Sequence, residues 1–242
     1  MYHHRISLGP VELAFTDRHG GVSAAPFDSL NLAIGGEDDP RSVQTNVERL
    51  IVDFAPGDDL VDLAQVHGCD VVDAHAVDRR PQADGVVANA DGVVLMVRAA
   101  DCVPVLLADP DAGVIGAAHA GRPGMAAGVV GATLARMREQ GARMITGWIG
   151  PHVCGRCYEV PAAMRDEVAA LVPASAATTS WGTPSLDLGA GVRAQLEDDG
   201  VTVVDMSTCT RESPDLYSYR RDGALAGRHA GLVRLAAPVG RR

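Results

Sequence analysis

Cys102, His119 and His67 are the residues of this 242-residue chain best placed to do chemistry together. From Gly92 to Gly124 the sequence reads GVVLMVRAADCVPVLLADPDAGVIGAAHAGRPG. Its three apolar runs, 93–97, 103–108 and 114–118, are short and rich in Val, Leu and Ile, as buried strands are. Asp101-Cys102 stands between the first two runs. His119 ends the third and is followed at once by Ala-Gly-Arg-Pro-Gly. Upstream, Gln65-Val66-His67-Gly68 ends another apolar run in the same manner. The expectation is that the thiol and the two imidazoles converge at strand ends. Two neutral imidazoles and one thiolate form a three-ligand zinc set, and catalytic zinc keeps three protein ligands and one open position. Gln65 and Asp101 are expected to orient the imidazoles from behind. A metal-free Cys–His nucleophile pair, or a core cysteine beside two hydrogen-bonded histidines, is compatible with the same residues.

Around this set lie other ligand-type groups. Gly121-Arg122-Pro123-Gly124 precedes a helix predicted over 125–140. Free N–H groups at a helix start, with an arginine, favour an anion such as phosphate, although no GxxxxGK(S/T) pattern is present. The polar loop 16–32 holds Arg18, His19, two glycines, Ser23 and Asn31, and binding residues gather on loops. Tyr217-Ser218-Tyr219-Arg220-Arg221 offers aromatic and guanidinium groups suited to flank a base or a phosphate. Cys154 and Cys157 form one CxxC. Without a second pair at zinc-knuckle spacing this is a weak metal signal. His152 and Cys209 would have to complete a four-ligand set, and small buried cysteines are the simpler reading.

The elements that must position these residues follow from periodicity and punctuation. Strands are predicted at 11–15, 60–66, 71–74, 86–87, the three central runs, 143–149, 201–204 and 231–235. A further strand running into a turn is predicted over 216–223. Asp39 suits an N-cap and Pro40 the first position of a helix to Phe54, with Val43, Val47, Leu50, Ile51 and Phe54 as its core stripe. Further helices are predicted at 125–140, at 161–171 and from 188 to about 198. Residues 174–184 read as a polar linker. Strands outnumber helices in an irregular order, which fits α+β, and no convincing linker divides the chain, so one domain over 1–242 is expected. The net charge of −10 argues against a nucleic-acid or anionic-membrane surface. No signal-peptide pattern opens the chain, and no apolar run reaches membrane-spanning length. Five cysteines, an odd number, do not suggest a disulfide framework. A reduced, cytoplasmic protein is expected.

Several motifs in one order carry a resemblance: TDRHGGVS at 16–23, PFDSLNL at 26–32, QVHG at 65–68, ADCVP at 100–104, HAG at 119–121, GP at 150–151, YEV at 158–160 and YSYRR at 217–221. Together they resemble the laccase-domain family, the YfiH-like proteins. That family often has HAGWRG where this chain has HAGRPG, so the aromatic of the turn is absent and its arginine is displaced. The resemblance implies an α+β fold with a mixed β-sandwich core flanked by helices. It implies a zinc ion held by His67, Cys102 and His119, the same residues being catalytic, with copper as the alternative metal. It also implies cleavage of purine nucleosides (adenosine, inosine, guanosine, methylthioadenosine) by inorganic phosphate to base and ribose 1-phosphate, with adenosine deamination as a further activity. Within that reading Arg18 and Arg122 are expected anion contacts. Asn31 and Gln65 are expected polar contacts to the nucleoside, Tyr217 a cover for a ring, and the chain a monomer. A copper polyphenol oxidase is one alternative, but its several coppers need many imidazoles, commonly as HxH pairs, and the eight histidines here form none. A hydrolase editing peptidoglycan precursors is a second. A non-catalytic nucleotide-binding protein is a third, although pure binding does not require an open metal site.

Overall fold

A computed structural model describes residues 1–76 and 80–236. The strand expected at 11–15 is the second of the chain. β1 (Tyr2–Leu8) pairs antiparallel with β2 (Val11–Thr16). β1 is a half-exposed edge strand, so it lacks the apolar run that marks a buried one. An irregular loop leads to α1 (Pro40–Phe54), which starts as expected: the Asp39 side chain accepts the Arg41 N–H, and Pro40 takes the first position. β3 (Asp59–Asp62) stops short of Gln65. β4 (Val71–Asp73) and β5 (Gly85–Ala88) follow. The three central runs are β6 (Val93–Ala99), β7 (Val103–Asp109) and β8 (Val114–Ala120); every residue of β7 and β8 is buried, as continuous apolar runs require.

Beyond β8 three expectations change. The helix predicted over 125–140 is two helices, α2 (Arg122–Ala126) and α3 (Val129–Glu139), separated where Gly128 turns left-handed at φ +87°. After β9 (Thr146–Ile149) and α4 (Ala162–Leu171), the supposed linker carries a short hairpin of β10 (Ala176–Thr178) and β11 (Pro184–Leu186). Three-residue strands are too short to show a period. α5 (Leu188–Asp198), capped by Asp187, leads to β12 (Thr202–Asp205). The strand predicted over 216–223 is instead a helical turn, α6 (Tyr219–Asp222), because the Ser218 side chain accepts the Arg221 N–H and caps it. The chain closes through β13 (His229–Leu235).

Two mixed sheets result, ordered β1-β2-β13-β6-β3 and β12-β9-β7-β8-β5-β4. Phe15, Leu95, Val97 and Val233 of the first meet Leu106, Ala108, Ile115 and Ala117 of the second in a shared core. α1 covers the outer face of the first sheet, and α3, α4 and α5 cover that of the second. The fold is therefore a mixed α+β sandwich flanked by helices, as expected. β6 and β7 are consecutive in the chain but lie in different sheets, so Ala100-Asp101-Cys102 is the step between layers. Among the described residues no helix is long and apolar enough to cross a membrane.

Candidate metal centre

The three residues singled out by sequence do meet. The donor atoms of His67, Cys102 and His119 all lie within 4.8 Å of one another. Cys102 Sγ is 3.8 Å from His67 Nε2, and the two imidazole rings are 4.9 Å apart, nearly perpendicular at 76°. Strand register places two of them: Pro104 of β7 stands opposite His119 of β8, which leaves Cys102, just before β7, beside the end of β8. The third comes from a turn. His67 is left-handed at φ +61°, a conformation that costs a residue with a β-carbon about 1–3 kcal/mol and persists where surroundings over-determine it.

Asp84, just before β5, supplies that over-determination. Its fully buried carboxylate accepts the N–H groups of Val66, His67 and Gly68 at 3.1, 3.0 and 2.7 Å, a nest of three successive amides around one anion. The same carboxylate is 2.8 Å from His119 Nδ1. It holds the proton on that nitrogen, so Nε2 is the nitrogen left to bind a metal, which it does on giving up its own proton. Burial alone would raise the Asp84 carboxyl; the His119 and backbone hydrogen bonds outweigh it and hold it below the ordinary range. Gln65 and Asp101 do not orient the imidazoles as expected. The Gln65 carboxamide pairs with both backbone groups of Arg98, each at 2.8 Å, as a neighbouring strand would. Asp101, left-handed at φ +88°, accepts the Thr210 hydroxyl and the Arg220 N–H, both at 2.6 Å. It ties the step between sheets to α6.

Electrostatics favour a ligating thiolate. Burial pushes the Cys102 thiol up, but the charge of His119 and hydrogen bonds from both imidazoles bring it down to about 6. Burial would lower His119, but the Cys102 thiolate and Asp84 carry it up to about 9. Two imidazoles and an activated thiolate, their donor atoms within 4.8 Å of one another, fit a four-coordinate ion with one position open. Gly121 completes the cradle. Its φ of −75° suits any residue, but a β-carbon there would come within 2.6 Å of the His67 ring and 3.1 Å of Cys102 Sγ. A β-carbon at Gly124 would meet the Gly68 carbonyl at 2.8 Å. The glycines after His119 thus serve close approach, and the helix they open has five residues, too short for the helix-end phosphate seat expected there.

The centre opens on a cleft of about 890 Å³, whose lining includes five arginines: Arg80, Arg98, Arg122, Arg220 and Arg228. Arg98 is 5 % exposed; one guanidinium nitrogen pairs with Asp62, while Nε and Nη2 have no partner among the described residues. Buried donors left unpaired are costly. Of the expected substrate contacts, Gln65, Asn31 and Arg122 line the cleft. The Asn31 carboxamide is already engaged, donating to Asp38 and accepting the Ala33 and Arg228 N–H groups. Arg18 and Tyr217 do not line it. Arg18 donates to the Asp28 and Pro26 carbonyls and lies over the Tyr217 ring at 4.8 Å; Tyr217 is buried, with its hydroxyl on the Phe27 carbonyl at 2.6 Å. Both therefore brace Phe27, which does line the cleft together with Tyr158 and Tyr219. Asp84 escaped the sequence reading because Asp-Gly before a strand reads as a turn, and nothing local marks it as a histidine's partner.

Residues 12–236 match the family model described as multi-copper polyphenol oxidoreductase laccase. The chain is 53 % identical over 239 residues to a Streptomyces coelicolor protein named purine nucleoside phosphorylase SCO2081, covering 95 % of this chain and 97 % of that one. It superposes on the crystal structure of Neisseria meningitidis protein NMB0706 with a TM-score of 0.86 at 32 % identity, covering 97 % and 99 % of the two chains. For the Bacillus licheniformis protein YfiH the TM-score is 0.82 at 27 % identity, covering 93 % and 92 %.

Proposed function

The chain belongs to the multi-copper polyphenol oxidoreductase laccase family, the YfiH-like proteins, and on that footing we propose that it is a zinc-dependent purine nucleoside phosphorylase. The observation that carries this reading is the meeting of a three-donor centre with an arginine-lined cleft in a chain whose net charge is −10. The name of the Streptomyces coelicolor relative supports it. In the reaction a phosphate oxygen bonds to C1′ of the ribose, the bond from C1′ to the purine nitrogen breaks, and the base leaves with that electron pair. The base takes the proton that phosphate gives up, so the products are free base and ribose 1-phosphate.

A zinc ion held by His67, Cys102 and His119 would supply Lewis-acid stabilisation of phosphate, or of a water in the deamination of adenosine. Arg98 offers phosphate its two unpaired donors in a desolvated wall, with Arg122 beside it. Phe27 and Tyr219 provide apolar faces for the purine ring, and Gln65 and Asn31 shape the wall through the backbone they hold. Copper oxidation, which the family description names, has weaker support from the donors present. Several coppers require many clustered imidazoles, and among the described residues the candidate clusters hold two, His67 and His119.

Mass spectrometry of products from zinc-loaded protein and adenosine, with and without phosphate, tests the reading. Adenine and ribose 1-phosphate are expected with phosphate alone. Inosine in both arms would replace phosphorolysis by deamination. Cys102→Ala is expected to lose both zinc from this centre and turnover; undiminished phosphorolysis in that variant with the centre empty would overturn the zinc role.

A further inference from the structure

We propose a second metal site, separate from the centre above, in which Cys154, Cys157, Cys209 and Glu212 hold a structural zinc ion. The three sulfurs and a carboxylate oxygen all lie within 4.8 Å of one another. Two tight turns bring them together. In the first, the Cys157 and Tyr158 N–H groups donate to the Cys154 carbonyl at 2.9 and 3.0 Å; in the second, the Ser213 N–H donates to the Cys209 carbonyl at 3.0 Å. Each turn presents residues three apart on one side. A parallel bridge between His152 and Cys209 fastens the turns next to each other, with His152 N–H on the Thr208 carbonyl at 3.2 Å and Thr210 N–H on the His152 carbonyl at 3.0 Å. Backbone pairing sets the three cysteines in place, and the Glu212 carboxylate joins them by accepting the Cys157 thiol at 3.4 Å.

The chemistry of the set points to zinc. All three cysteines are free thiols, Cys157 buried and the others half-buried, while the exposed Glu212 leaves a way in from solvent. Thiolate-rich sites select zinc over magnesium or calcium, and four protein donors close the coordination shell, as in structural sites. Binding releases one proton from each thiol. Four anionic donors around a divalent ion leave the site negative, and Arg211, whose guanidinium donates to the Cys157 carbonyl at 3.5 Å, lies against it. His152 does not belong to the ligand set: its Nδ1–H donates to the Gly150 carbonyl at 2.8 Å and the Nε2 side of its ring packs on Gly189. The ion clamps one wall of the cleft. Tyr158, next to Cys157, lines that cleft, and Thr210, next to Cys209, bonds Asp101.

The test is zinc content by mass spectrometry of full-length protein, reconstituted with Zn²⁺ and desalted. Cys102→Ala removes the first centre and is expected to keep one equivalent. Adding Cys209→Ser to Cys102→Ala is expected to remove it. Cobalt in the Cys102→Ala protein is expected to show thiolate-to-metal charge-transfer absorption that the double variant lacks. Glu212→Gln, at an exposed position, is expected to fold and to lose this zinc to a chelator that leaves the wild type loaded. A Cys102→Ala protein that folds yet retains no zinc, or a Cys154–Cys157 disulfide in the peptide map of protein handled without oxidant, overturns the site. Because the readout is metal in a background lacking Cys102, failure of the phosphorylase reading leaves it unaffected.

Discussion

One carboxylate, that of Asp84, accepts hydrogen bonds from the turn that carries His67 and from the ring of His119. Asn in its place has one acceptor oxygen, and its NH₂ would face N–H groups that need an acceptor. Asp84→Asn is expected to cost about 3 kcal/mol of stability and to weaken zinc binding by about 10–100-fold. Denaturant titration and chelator competition measure the two, and unchanged zinc affinity would remove Asp84 from its positioning role. Acid should have a related effect. The Asp84 carboxyl is held below its ordinary value in the folded protein, so its stabilisation is present above the unfolded value of about 3.9 and is lost as pH falls through the lower folded value. Glycine illustrates the same scale from the steric side. Gly121 is required by space, since its φ is ordinary.

At the scale of elements, Gly128 shows the complementary case. It stands between α2 and α3 at φ +87°, and a β-carbon there would meet nothing within 4 Å among the described residues. Its requirement is conformational alone. Gly128→Ala is expected to cost about 1–2 kcal/mol, read as a melting point lower by about 2–4 °C per kcal/mol in a chain of this size, with zinc content unchanged. Gly121→Ala is expected to do the reverse, losing zinc from the first centre by crowding His67. Equal zinc loss in both variants would mean that the break between the helices, rather than room beside the thiol, governs the centre. The break itself was invisible to periodicity. Val129, Val130, Leu134 and Met137 keep a helical rhythm, and one more glycine in a Gly- and Ala-rich stretch does not declare its φ.

The whole molecule is held at the seam between its sheets, and His229 sits in that seam. It begins β13, which pairs with β2 and β6, while its Nε2 contacts the carbonyl of Pro151, beyond β9 of the other sheet, at 3.3 Å. Its Nδ1 has no partner among the described residues. Burial pushes its pKa down to about 4, against the opposing effect of the Pro151 bond. The folded protein therefore keeps this ring neutral where the unfolded chain, at about 6.5, takes up a proton. Stability is unaffected above that value and falls as pH drops from about 6.5 to about 4, by about 3 kcal/mol in all. The difference between wild type and His229→Leu, followed by denaturant titration across that range, is expected to move against the wild type with acid. A difference that stays flat would mean that the ring is protonated in the fold or reached by water.

The sequence by itself determined the buried strands, the capped start of α1, the α+β class and the three residues most apt to bind a metal. Each is written in neighbouring residues: continuous Val, Leu and Ile runs, Asp39-Pro40, and polar groups at strand ends. Tertiary structure decided what depends on partners distant in the chain. Asp84 meets His119 through the pairing of β5 with β8, and the arginines gather in one cleft from five separate places. Arg18 and Tyr217, which read as ligand contacts, turn toward Phe27, where the carbonyls of Pro26, Phe27 and Asp28 take their donors. Cys154 and Cys157 read as small buried cysteines, with His152 and Cys209 as the residues needed to complete a ligand set; a backbone bridge some fifty residues on brings Cys209 beside them, with Glu212 and not His152 as the fourth group. Local patterns carry burial and capping, since those are settled within a few residues; a site assembled across the seam of two sheets is settled by register, which no single segment contains.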